Sequence, residues 1–454
     1  ITNKLLEVTI MNQIKLTPIN TGCCSSTPEK IEPNKELPIA IIGAGPIGLA
    51  AAAHLVNAGE HFIILEAGST VGHHISSWEH VRLFSPWQYN IDKVAEKLLK
   101  KQGWIAPNPE HLPLGKELIS SYLEPLAKIP EIKSSLSLNT KVVSISKKGL
   151  DKMKTANRSD VPFILYVEQA GQLKRIEARA VIDATGTWSS PNPINADNIW
   201  TNAEKDLIDH IYYGIPNVHG SALDKYKGKR VAVVGGGHSA INSILELAQL
   251  DDKVEIMWIM RKRNVEAAFG GEDKDALAAR GELGSKVHQL VDAGKVRVFT
   301  PFLIHHLAKT KNGIIIEGES QGQVTTLPPV DEIIANTGSR PDFSLTREIR
   351  LDIDPITESV TAIAPLIDPN IHSCGTVRPH GEEELRQPEK NYYIVGMKSY
   401  GRAPTFLMAT GYEQVRSIVA YITGDIAAAK KVELDLPETG VCSVNIQDPT
   451  SSCC

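Results

Sequence analysis

Twice in this chain a short apolar run ends on a glycine-rich turn and passes directly into a helical pattern. The two stretches are IAIIGAGPIGLAAAAHLV at 39–56 and RVAVVGGGHSAINSILELA at 230–248. Each is followed by a second apolar run, HFIILE at 61–66 and KVEIMWIM at 253–260. Strand, tight turn, helix and strand in that order make a βαβ unit, which requires a parallel sheet. Two copies predict an α/β fold with two Rossmann-like domains.

The glycine spacing narrows this further. Gly43, Gly45 and Gly48 form GxGxxG. The first glycine permits the turn, the second lets a pyrophosphate approach the backbone, and the third lets helix and strand pack closely. The helix N-terminus adds partial positive charge. Glu66 closes the second strand 23 residues after Gly43, where a carboxylate can hydrogen-bond a ribose diol. The second copy reads GxGxxA, with Gly235, Gly237, Ser239 and Ala240 as candidate contacts. Its second strand ends in Arg261, Lys262 and Arg263 rather than in an acid. Arginine pairs bidentately with a phosphate that a carboxylate would repel. The first site therefore suits FAD and the second NADPH, with a merely solvated strand end as the alternative for the basic triplet.

The second unit interrupts the first. AVIDATG at 180–186 is echoed by EIIANTG at 332–338, and both resemble the crossover motifs of flavoproteins with two dinucleotide-binding domains, a resemblance that would put Thr185, Gly186, Thr337 and Gly338 where the chain passes between domains. The expected organisation is an N-terminal arm at 1–36, an FAD-binding domain at 37–226 and 341–426, an NADPH-binding domain inserted at 227–340, and a tail at 427–454. The chain carries a net charge of −5 and no basic stripe, so nucleic acid is not an expected partner. The segment 39–56 is apolar but is accounted for by its glycines, leaving no expected membrane span. ITNKLLEVTI at the start lacks the pattern of a secretory signal, and Met11 is a candidate start; a cytoplasmic location is expected.

The nested order resembles the flavoproteins with two dinucleotide-binding domains, and over residues 37–425 the flavin-containing monooxygenases. WEHVRLFSPWQYN, LPLGKELISSYLEPLA, KSYGRAPTFLMATGYEQVRS and LPETGVCS resemble a bacterial subgroup associated with arsenic-resistance operons. The resemblance implies FAD, NADPH and O₂ as reactants and oxygen transfer to a small molecule. By the same analogy Trp78 and Arg82 would line the flavin, Asn90 would be the flavin-facing asparagine, and a helix starting near Thr410 would point its N-terminus at the ring. Two departures stand out. The segment YYGIPNVH at 212–219 replaces the group's FxGxxxH, and Gly396-Met397-Lys398 stands where a Gly-Asp is usual.

The six cysteines include adjacent pairs at Cys23-Cys24 and Cys453-Cys454, and no CxxC occurs. Vicinal thiolates suit soft metals or metalloids, although a Cys-Cys pair in a tail can equally be incidental. Three readings follow: an oxygenase, a reductase of a thiol, disulfide or metalloid held by these pairs, and a thiolate metalloid-binding protein with non-catalytic flavin domains.

Overall fold

The computed structural model describes residues 36–250, 253–275, 277–370 and 377–434. It is built on two parallel sheets of five strands, each accompanied by a three-stranded antiparallel sheet.

The first parallel sheet uses β1 (Ile39–Ile42), β2 (Phe62–Leu65), β3 (Leu136–Ser137), β7 (Ala180–Asp183) and β16 (Tyr392–Ile394), in the order β16-β7-β1-β2-β3. Its companion consists of β4 (Thr140–Lys147), β5 (Phe163–Gln169) and β6 (Gln172–Ala178). The second parallel sheet uses β8 (Ile211–Tyr213), β9 (Arg230–Val234), β10 (Glu255–Ile259), β11 (Val296–Phe299) and β15 (Glu332–Ala335), in the order β11-β10-β9-β15-β8. Its companion is β12 (Leu303–Thr310), β13 (Gly313–Ser320) and β14 (Gln323–Thr326). The second sheet thus lies within the chain course of the first, between β7 and β16. Edge strand β8 belongs to it although Ile211–Tyr213 precede the expected boundary at 227. The physical reason is that β15 offers β8 a parallel partner, with Ile333 opposite Ile211 and Ala335 opposite Tyr213.

These central strands are apolar at nearly every position because both faces are covered. In β9, Val231 and Val233 pack with Ile241 and Ile244 of the helix that follows, while Ala232 and Val234 join Ile304, Leu307 and Ile316 of the antiparallel sheet. Five helices matter below: α1 (Pro46–Ala58), α2 (Lys93–Lys101), α3 (His238–Leu247), α4 (Ala278–Asp292) and α5 (Met408–Ile422). Helix α1 follows β1 and packs against α5. A Cβ on Gly411 would lie 2.5 Å from Ile47 Cδ1, so these helices cross at glycine distance.

The strand ends are level. Ile42 pairs with both Leu65 and Asp183 in the first sheet, and Val234 with both Ile259 and Ala335 in the second. Ligands of open α/β sheets bind beyond these carboxyl ends, and both fingerprints sit there.

Candidate functional site

In the first half, Gly43 has φ +100° and a Cβ there would lie 2.8 Å from Ala184 O. A Cβ on Gly48 would lie 2.0 Å from Gly43 O, so that position holds helix and turn together. Gly45 differs: a Cβ there would meet nothing within 4 Å. The space before α1 at Gly45 is open. Helix α1 has no side-chain cap and no acid in its first turn, and starts with Pro46. An anion is the complementary occupant of such an end. Glu66 accepts Ala44 N–H on Oε2 (2.6 Å) and Gly68 N–H on Oε1 (2.7 Å), which fixes its carboxylate while leaving acceptor capacity on both oxygens. These features fit FAD.

Beneath this turn lies a fully buried charged network. Lys398 Nζ donates to Asp183 Oδ2 (2.8 Å) and to Thr185 Oγ1 (3.0 Å); neither Lys398 nor Asp183 has an exposed side chain. The Tyr392 hydroxyl donates to Asp183 Oδ2 (2.8 Å), and Thr185 Oγ1 donates to Oδ1 (2.7 Å). Burial by itself would raise the Asp183 pKa, but the Lys398 ammonium and these donors hold it below the ordinary carboxylate value. Lys398, which breaks the expected Gly-Asp pattern, is therefore the partner of an acid on a distant strand.

In the second half, Gly235 has φ +131° and a Cβ there would lie 2.3 Å from Asn336 O. Gly237, like Gly45, faces open space. Ala240, in the first turn of α3, is buried. Arg261 is exposed and has no hydrogen-bond or ion-pair partner among the described residues. Lys262 lies over Gly236 and donates to Ala267 O (2.6 Å). These features fit NADPH.

A cavity of about 1020 Å³ opens at this second fingerprint. Gly235 to Ser239, Arg261, Thr337 and Gly338 line one part of it, and Phe84, Trp188 and Arg402 to Leu407 another. Arg263 is exposed, already engaged, and outside its wall. Gly43, Gly45, Gly48, Glu66, Thr185 and Gly186 do not border it. They connect to it through the crossovers: Thr187 Oγ1 and Ser339 Oγ lie 2.8 Å apart, Asn192 N–H donates to Gly338 O (2.9 Å), and Thr337 Oγ1 donates to Asn192 O (2.6 Å). Helix α5 starts at the cavity wall without a side-chain cap, two residues before the expected Thr410.

The segment WEHVRLFSPWQYN behaves differently from expectation. Asn90 is 1% exposed. Its Nδ2 donates to Ser85 O (2.7 Å) and Pro86 O (3.1 Å), and its Oδ1 accepts from Ser85 Oγ (3.0 Å). The amide is occupied in closing its own turn and does not line the cavity. Arg82 donates to Leu112 O and ties two loops together on the exposed side. Trp78 sits behind the wall, 6.3 Å from the Trp188 ring. The residue that reaches the cavity is Phe84, 5.8 Å from His238 and 6.0 Å from the Arg280 guanidinium. Arg280 of α4 is held by Asp275 at 2.7 and 2.8 Å. Burial pushes His238 down to about 4, Arg280 and Lys262 push the same way, and Asp275 opposes them.

Trp188 and Arg402 follow motifs visible in the sequence, ATGTW and KSYGRAPTF, whereas Arg280 lies in a helix with no signature. The candidate thiolates Cys23, Cys24, Cys453 and Cys454 lie outside the described residues, as do Cys374 and Cys442. Among the described residues no group of three or more His, Cys, Asp or Glu side chains is arranged to hold a metal ion, and no helix is long and apolar enough to cross a membrane.

Two dinucleotide sites on nested parallel sheets define the class as a two-nucleotide oxidoreductase. Residues 40–362 match the model of the pyridine nucleotide-disulphide oxidoreductase family, and the chain belongs to that family. It is an FAD- and NADP(H)-dependent oxidoreductase. A ferredoxin–NADP reductase of Lactobacillus gasseri is 26% identical over 345 residues, covering 74% of this chain and 85% of that protein. A probable indole-3-pyruvate monooxygenase of Arabidopsis thaliana, YUCCA9, is 27% identical over 46% of this chain and 44% of its own length. Among solved structures, the bacillithiol disulfide reductase of Bacillus cereus superposes with a TM-score of 0.63 at 19% identity, over 86% of this chain and 99% of that one. An ornithine N-hydroxylase of Kutzneria sp. 744 gives 0.60 at 15%, over 85% and 98%. These two likenesses concern the fold.

Proposed function

We propose that this enzyme is a monooxygenase-like oxidoreductase that uses NADPH and O₂ to oxygenate a small organic molecule. Bound together, the two cofactors supply hydride transfer and oxygen activation. The chain contributes binding and orientation. Gly45 and Gly237 keep two helix N-termini open to pyrophosphates, Glu66 receives a ribose diol, and Arg261 pairs with a 2′-phosphate. Asp183, Lys398 and Thr185 hold the crossover beneath the flavin. Trp188, Phe84 and Phe406 exclude water from the reacting region.

The observation that carries the reading is the cavity. It reaches the nicotinamide fingerprint at one part and the apolar loop before α5 at another, and its volume suits a nucleotide together with a small ligand. Electron delivery to a protein partner needs an exposed docking face rather than such a chamber. A second reading, reduction of a redox partner or disulfide, is favoured by the ferredoxin–NADP reductase relative, which matches most of this chain.

Anaerobic mixing with NADPH followed by oxygen separates the two. The oxygenase consumes O₂ in proportion to oxygenated product when its substrate is present and slows without it. The reductase turns over a disulfide or one-electron acceptor without O₂ and forms no oxygenated product. Failure of NADPH to bleach the bound flavin removes both.

A further inference from the structure

The loop Arg402–Leu407 carries polar groups that neither cofactor assignment uses. Gly401 has φ +62°, and a Cβ there would lie 2.2 Å from Thr357 O and 2.4 Å from Ser359 N. Only glycine lets this loop press onto residues 357–359. Arg402 N–H then donates to Thr357 O (2.8 Å) and Ala403 N–H to Tyr400 O (3.0 Å), so the Arg402 backbone is anchored on both sides.

Its side chain is another matter. Arg402 is exposed, lines the cavity and has no hydrogen-bond or ion-pair partner among the described residues. The nearby acid Glu358 is already held by Arg340. Other cavity cations are accounted for: Arg280 is on Asp275, Lys262 is on Ala267 O, and Arg261 is assigned to NADPH. Two further groups on the wall are incomplete. The Thr405 hydroxyl is buried without a partner. Asn192 is 6% exposed and donates through Nδ2 to Thr337 O (3.1 Å), yet its buried Oδ1 accepts nothing. Buried polar atoms are seldom left without a partner.

We infer that the substrate is a small organic anion whose oxyanion is received by Arg402 and Thr405, with its apolar body against Trp188, Phe406 and Leu407. A guanidinium offers two parallel donors to a carboxylate or other oxyanion, Thr405 adds a third, and Asn192 Oδ1 accepts an N–H or O–H of the ligand. This rests on the oxidoreductase reading above, whose substrate it specifies.

The test uses the FAD-loaded protein with NADP⁺ and follows the flavin absorption spectrum on titration with benzoate, phenylphosphonate and neutral benzyl alcohol. Benzoate or phenylphosphonate should perturb the spectrum saturably and bind more tightly than benzyl alcohol. Whichever anion binds better assigns a carboxylic acid or a tetrahedral oxyanion, and either upholds the proposal. Arg402→Met should weaken the anion by about tenfold or more, the loss expected for a charged hydrogen-bonding pair, with NADP⁺ affinity unchanged. Arg402→Lys should recover part of this, and Thr405→Val should cost severalfold. The proposal is overturned if neither anion moves the wild-type spectrum, if both bind no better than benzyl alcohol, or if Arg402→Met weakens NADP⁺ instead. Anaerobic bleaching by NADPH, measured alongside, reports on the oxidoreductase reading independently of these titrations.

Discussion

The two nucleotide halves of the molecule agree in backbone and diverge in side chains. In both, the first fingerprint glycine has positive φ and abuts the carbonyl of the residue that follows a crossover strand: Gly43 on Ala184 after β7, Gly235 on Asn336 after β15. In both, the second fingerprint glycine faces open space. The turns are then fixed by different means. Glu66 ties the first turn through Ala44 N–H, whereas the Trp258 indole donates to Gly235 O (2.7 Å) in the second. The indole leaves the end of β10 free for a cation. The crossovers differ likewise: a buried Asp183–Lys398 pair under the first, and under the second a neutral Asn336 donating to Gly214 O (2.8 Å). The two turns share their backbone geometry and differ in the side chains that tie them.

The third fingerprint position offers the sharpest break in the comparison. Gly48→Leu places a side chain where even a Cβ is 2.0 Å from backbone, so the first half cannot close and the protein should be recovered unfolded or without flavin. Ala240→Gly in the second half removes one methyl and adds backbone freedom, costing about 1 kcal/mol. Equal tolerance of both changes, judged by flavin content and thermal unfolding, would mean that the halves do not differ in helix–turn packing.

The crossovers come next. Lys398→Met leaves Asp183 buried without its cation, and breaking a buried pair from one side costs about 3–5 kcal/mol. Urea unfolding should show that loss, and Lys398→Met with Asp183→Asn should recover much of it. Asn336→Ala removes neutral hydrogen bonds only and should cost about 1–3 kcal/mol. If the double variant is no better than the single, Lys398 acts through packing rather than charge.

At the strand ends, Arg261→Ala should raise KM for NADPH about tenfold or more and leave NADH nearly unchanged, since only the former carries the 2′-phosphate. Equal effects on both would remove the basis for reading the second half as NADPH-selective.

How much of this was legible beforehand follows from what each feature depends on. Strand, glycine and helix positions are local, so the two βαβ units and the nesting could be read from 39–66, 230–260 and the echo of ATG and NTG. Side-chain destinations are not local. Nothing in WEHVRLFSPWQYN indicates that Asn90 closes its own turn while Phe84 reaches the cavity; that is decided by the loop's tie to Leu112 and by the approach of α4. In sequence Lys398 stands as the loss of an expected acid; only the pairing of β16 with β7 brings it against Asp183. The edge strand β8 was equally hidden, because three residues carry no periodicity of their own and pair only once β15 exists.

The smallest expected effect concerns the first residue of each nucleotide-binding helix, Pro46 in one half and His238 in the other. Pro46 cannot titrate. His238 is held neutral, its pKa pushed down to about 4 by burial and by Arg280 and Lys262. An unfolded chain would bind this proton near 6.5, so acid favours unfolding: the contribution is fully present above about 6.5 and is lost as pH falls towards about 4. His238→Gln should therefore flatten, within that window, part of the slope of stability against pH. His74, His80 and His380, whose pKa values burial also lowers, should maintain part of the remainder. Binding of NADP⁺ tests the same group with the opposite sign. A pyrophosphate at the start of α3 favours the protonated ring, so NADP⁺ should bind more tightly as pH falls through this range, with proton uptake visible by calorimetry in buffers of different ionisation enthalpy. Uptake that persists in His238→Gln would assign the proton elsewhere, and the contrast between the two helix starts would then be one of shape alone.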